Sequence, residues 1–183
     1  MKKFLFGLIL GLIAVPAMAY FYFSTGTAPV ATSAPPMPFE KMLASKALHA
    51  RLDKEMPKEA PPVAADEATF MAAVPIYKEN CAVCHGLPGQ PQTAISKGMF
   101  PKPPKLTEGT GVSDDPAGET YWKVAGGIRM TGMPGYDKTL STTQMWQVSV
   151  LLASSDKWPK TVTDSLSGVA AAPVAATPDV KKK

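Results

Sequence analysis

The sequence holds few cysteines and histidines, two of each in 183 residues. A small secreted fold held by disulfides needs several bridges, so that class is excluded. Neither sign of charge dominates. The formal excess is +4, but residues 66–160 carry nine basic and nine acidic side chains. A nucleic-acid footprint needs a basic face, which a neutral segment does not supply. There is no internal repeat and no convincing strand run. No acid/base dyad, nucleophile triad or phosphate loop stands out, and Gly109-Thr110-Gly111 is too short to suggest nucleotide binding. With 19 prolines and 45% apolar residues, the chain is neither wholly disordered nor a polytopic membrane protein.

One long apolar run is present. Lys2 and Lys3 precede twenty uncharged residues, 4–23. In one reading this is a cleaved secretory signal, with a break at Pro16 and Ala17-Met18-Ala19 as a small-x-small cleavage site. In the other it is an uncleaved anchor, because the run continues through Tyr20-Phe21-Tyr22-Phe23. About 20 residues at 1.5 Å each just cross a ~30 Å hydrocarbon core. The aromatics suit the outer interface and the lysines the cytoplasmic side, so the anchor is favoured. Both readings place the remaining chain outside the cytoplasm.

Residues 24–65 read as a proline-rich linker with one amphipathic helix over 39–56, whose stripe holds Phe39, Met42, Leu43, Ala47 and Ala50. Pro57, Pro61 and Pro62 end it. From Asp66 a second helical pattern begins, capped by Asp66 or Thr69, with Phe70, Ala73, Val74 and Tyr77 on its apolar face. Pro75 suggests a kink or a late start. Residues 86–113 read as loop. A short helix follows, with Asp115 as N-cap, Pro116 at its first position and Gly126-Gly127 as its stop. Ser141 and Gln144 form a capping box, and Met145, Val148, Leu151 and Leu152 form the buried stripe of a helix over 141–154. Residues 161–183, rich in Ala, Pro, Thr and Ser, read as a disordered tail.

Chemistry concentrates at Cys81-Ala82-Val83-Cys84-His85. This C-x-x-C-H run is the attachment signal for c-type haem. Two thiols three positions apart on a helical turn face the same way, and each can form a thioether to one vinyl group. His85 then falls beneath the iron. A zinc site needs four ligands, but there is no third cysteine and His49 is the only other histidine. A thioredoxin-like motif expects a βαβ context, which is absent. A plain Cys81–Cys84 disulfide is the remaining alternative outside the cytoplasm.

Residues 66–160 resemble a class I monohaem cytochrome c domain. The likeness rests on Cys81-Ala82-Val83-Cys84-His85-Gly86, then Pro104-Lys105-Leu106, then the stretch from Gly126-Gly127 through Met130-Thr131-Gly132-Met133-Pro134, then the helix from Ser141. It implies an all-α fold around one haem c, covalently held by Cys81 and Cys84. It also implies an extracytoplasmic carrier of single electrons between a redox donor and acceptor.

His85 is the implied proximal ligand. Met133 is the implied sixth ligand, in a Met-Pro pair 48 residues further on. Met130 is its rival and His49 a distant one. The carbonyl of Pro104, or failing that Pro103, is implied to accept from the His85 ring. Tyr121, Trp122, Tyr136 and Trp146 either wall the haem or are core aromatics, and Arg129 either pairs with a propionate or is solvated. Two alternatives stay open: a haem-bearing subunit of a larger membrane oxidoreductase, and a haem enzyme or sensor with an open sixth site. Donor, acceptor and oligomeric state are not legible.

Overall fold

The computed structural model describes residues 1–109 and 111–168. Among these, every regular element is helical, in keeping with the all-α expectation. The chain divides into two units, Met1–Ala47 and the part from Leu48 onward.

In the first unit, α1 (Lys2–Ser24) runs unbroken through Pro16, with no buried residue. At 1.5 Å per residue its 23 residues measure about 35 Å. Length and composition suit a membrane crossing, and a signal sequence passes the same test. Helix α2 (Glu40–Glu55) begins here and crosses into the second unit. The apolar stripe read from the sequence faces outward at Phe39, Met42 and Leu43, and Leu52 is the buried residue of α2. The helix carries a second apolar row, Leu48 and Leu52, and periodicity alone cannot say which row meets protein.

In the second unit, α3 (Glu67–Asn80) starts where the Asp66 carboxylate accepts from the Thr69 amide at 2.8 Å. It continues through Pro75 without a late start. Proline deprives the Met71 carbonyl of its helical partner, but Met71 and Pro75 both face solvent, where water can take that place. After α3 come the single turn α4 (Ala82–His85), α5 (Ala94–Gly98), α6 (Ala117–Gly126) and α7 (Thr142–Ala153). A 3-10 turn (Ser155–Lys157) leads to α8 (Lys160–Ser167).

Helix α7 packs across α3 and α6, and α8 packs on α3. Phe70, Ala73, Val74 and Tyr77 of α3 meet Val124 of α6, Met145, Val148, Leu151 and Leu152 of α7, and Val162 and Leu166 of α8. The capping box at Ser141 and Gln144 is formed in both directions.

Three expectations need correction. Helix α5 lies inside 86–113, where the sequence predicts only loop; Thr93 caps it by accepting from the Ser96 amide. Pro116, not Asp115, is the N-cap of α6; the Asp115 carboxylate instead lies 3.7 Å from Lys123 Nζ. The segment from 161 is not wholly disordered. Val162 and Leu166 of α8 are fully buried, and the Thr161 hydroxyl donates to the Glu67 carboxylate. Two aliphatic side chains one turn apart give this short helix its own seat on the core. The rest of that tail, 169–183, lies outside the described residues.

The second unit also begins earlier than Asp66. Leu52 is 2% exposed. The Trp122 indole N–H donates to the Glu55 carboxylate at 3.3 Å. The Pro57 carbonyl lies so close to Gly118 that a Cβ there would stand 2.1 Å from its oxygen.

Candidate haem-binding site

The backbone changes direction at Cys81. Its amide still donates to the Tyr77 carbonyl, closing α3, and its own carbonyl accepts from Cys84 and His85, opening α4. The two cysteines therefore sit one turn apart on the short helix. The thiols are not joined to each other. Burial, helped by the neighbouring Cys84 thiol, pushes the Cys81 thiol up to about 12. Gly86 ends the turn at φ +80°, a conformation that glycine adopts freely. Its carbonyl accepts from the buried Tyr77 hydroxyl at 2.8 Å, so the α3 core holds the backbone just beyond His85.

His85 Nδ1 lies 2.8 Å from the Pro104 carbonyl oxygen. A carbonyl can only accept, so Nδ1 carries the proton and Nε2 keeps its lone pair. Burial moves the imidazole below its ordinary value, and the Pro104 bond opposes that shift. Burial outweighs the bond, and the net lowering leaves a neutral ring at neutral pH, the form that can bind a metal. Pro104, rather than Pro103, is the acceptor.

Met133 and Met130 share one loop but differ in environment. Helix α6 stops at Gly127 (φ +66°), where a Cβ would stand 2.5 Å from the Gly135 nitrogen and 2.6 Å from the Pro134 carbonyl carbon. Only glycine lets the returning chain pass this close. The loop closes on itself: Ile128 N–H donates to the Met133 carbonyl at 3.2 Å, the Thr131 hydroxyl to the Ile128 carbonyl at 2.7 Å, and the Met133 amide to Thr131 Oγ1 at 3.1 Å. Tyr136 and Asp137 then donate to the Val124 and Ala125 carbonyls. Met133 is partly buried and packs against the core. Met130, at φ +61°, is 88% exposed.

The aromatics named from sequence have protein partners. Tyr121 stacks on Trp146 with ring centroids 4.2 Å apart. The Tyr136 hydroxyl donates to the Asn80 carbonyl at 2.7 Å. The Trp122 indole faces Glu55. Arg129 is exposed, and His49 is exposed on α2, a different element from Cys81–His85. Sequence reasoning missed Thr93, Met99, the Tyr77 hydroxyl and the close approaches at Gly127 and Gly132, although Gly127 was expected as the helix stop. The glycines could have been suspected from their clustering around the loop; the others left no signal.

Among the described residues, no group of three or more His, Cys, Asp and Glu side chains gathers to hold a bare metal ion. Two thiols on one turn, an imidazole with a free Nε2 and a part-buried thioether do fit a covalently held haem.

No curated protein matches the chain. One similar solved structure is the Kuenenia stuttgartiensis reducing HAO-like protein complex, at 23% identity and a TM-score of 0.45, covering 57% of this chain and 53% of that one. The present chain thus spans about half the length of that chain. Residues 68–152 match the family model described as cytochrome c oxidase, cbb3-type, subunit III. This segment, holding the C-x-x-C-H turn and the helices packed around it, is a class I c-type cytochrome domain.

Proposed function

We propose that the chain carries one haem c, linked through Cys81 and Cys84 and ligated by His85 and Met133, and passes single electrons between redox proteins outside the cytoplasm. The bound haem supplies a one-electron ferrous/ferric couple, whose potential a His/Met pair raises. The observation that carries this reading is the His85 ring, held through Nδ1 by Pro104 with Nε2 left free. That bond fixes ring orientation and strengthens the donor nitrogen. Tyr77 and Gly86 restrain the backbone next to it. The hydrogen-bonded loop 128–133 carries Met133 inward and Met130 outward. A haem held by both His85 and Met133 would leave no open site for a substrate. This favours a carrier over an enzyme or sensor.

Helix α1 serves as the anchor, with the haem domain on the periplasmic side. A tether raises the effective concentration near membrane-bound partners, which suits a folded segment with little net charge for steering. Cleavage of α1 would instead leave a soluble periplasmic carrier.

The test is the ferric optical spectrum. Met133→Ala should abolish the far-red band of thioether ligation and open the iron to carbon monoxide in the ferrous state; Met130→Ala should do neither. Retention of the band in Met133→Ala overturns the assignment. A colourless protein on a denaturing haem-stained gel overturns covalent attachment.

A second reading follows from the matching family, which is described as a subunit of an oxidase. In it the chain is the haem-bearing subunit of a larger membrane oxidoreductase. Co-purification of stoichiometric partner chains in mild detergent would support it, and isolation as a single chain would support the free carrier.

A further inference from the structure

The loop 128–133 is not held by its own hydrogen bonds alone. A Cβ placed on Gly132 would stand 2.0 Å from the Met99 methyl carbon and 3.6 Å from its sulfur. The end of Met99 therefore fills the space that any other residue at 132 would occupy. Met99 is partly buried and lies just beyond α5, where its amide donates to the Ser96 carbonyl. Ser96 is itself 2% exposed, and its amide donates to Thr93 Oγ1 at 3.0 Å. The Thr93 hydroxyl donates in turn to the carbonyl of Val83 at 2.6 Å. Val83 stands between the two cysteines.

A continuous series of contacts thus runs from the attachment turn, through α5 and Met99, to the residue preceding Met133. We propose that Met99 is a positioning residue. Its methyl group, seated against Gly132, braces the 128–133 loop from the α5 side and keeps Met133 in ligating position. The proposal rests on Met133 as the sixth ligand. Packing, not coordination, is the role assigned to the Met99 sulfur. Methionine suits the task because its flexible end fills an irregular gap.

The test measures competition at the sixth position in the purified ferric holoprotein, titrated with imidazole. Releasing the brace should let imidazole displace Met133 more easily. Met99→Ala should raise imidazole affinity about tenfold, which corresponds to ~1.4 kcal/mol. Met99→Leu, which keeps the bulk without sulfur, should stay within about twofold of the parent. Gly132→Ala should mimic Met99→Ala, because the new Cβ evicts the methyl group and neither methionine is changed. The Gly132→Ala/Met99→Ala pair should be clearly less than additive, as residues sharing one contact are.

Far-UV circular dichroism checks that each variant is folded, and Met99→Leu and Gly132→Ala keep the test open should Met99→Ala fail to fold. Parental affinity in both Met99→Ala and Gly132→Ala overturns the proposal. So does a Met99→Leu as impaired as Met99→Ala, since the sulfur itself would then be at work. Failure of the underlying ligand assignment is seen separately, as a thioether band that survives Met133→Ala.

Discussion

Tyr77→Phe removes one oxygen atom and leaves the ring in place. Tyr77 is 0% exposed, and its hydroxyl donates to the Gly86 carbonyl at 2.8 Å. Burial pushes the phenol above its ordinary range, so it stays protonated and donating across neutral pH. Gly86 is buried too, which leaves its carbonyl no simple route to water. The loss is a hydrogen bond together with an orphaned buried acceptor, about 2 kcal/mol. With a urea dependence of ~2 kcal/mol/M, typical of a small domain, the unfolding midpoint falls by about 1 M. Tyr136→Phe is the control. Its hydroxyl reaches the Asn80 carbonyl at 2.7 Å from a part-buried site, so water can replace it, and the loss is about 1 kcal/mol or less. Urea titration followed by far-UV circular dichroism compares the three holoproteins, and amide exchange around His85 reports whether the local backbone loosens. A Tyr77→Phe midpoint within about 0.2 M of the parent, or a larger loss in Tyr136→Phe, refutes the reasoning.

Leu166→Ala empties a fully buried site between α8 and α3 and should cost about 3 kcal/mol in the same titration; an unchanged midpoint would show that α8 adds nothing to the core. The Asp66 carboxyl lies below its ordinary value because it accepts from the Thr69 amide and hydroxyl. A lowered acid contributes stability above the ordinary value of 3.8 and loses it as the pH falls through the native one. Asp66→Ala should therefore be less stable than the parent at pH 7, with the gap closing in acid; a gap constant with pH contradicts this.

The parts of the fold legible in sequence carry a long repeat or a fixed chemical spacing. The α7 stripe and its capping box, the α3 face and the Gly127 stop all fall where expected, because each involves several residues at set intervals. The spacing of Cys81, Cys84 and His85 likewise announces the single helical turn on which they stand. Helix α5 spans five residues, too few to show a period among glycines and prolines. Helix α8 has two apolar anchors in a polar stretch, and its burial depends on the α3 surface that receives it. Met99 against Gly132 is a contact across 33 positions, and nothing local announces it.

The seat of Pro57 on Gly118, with Leu52 buried and Glu55 bonded to Trp122, has a mechanical consequence. Tension arriving along the chain from before Leu48 is taken up by these three points. Only after they shear does any strain reach α3 and the turn that bears the cysteines.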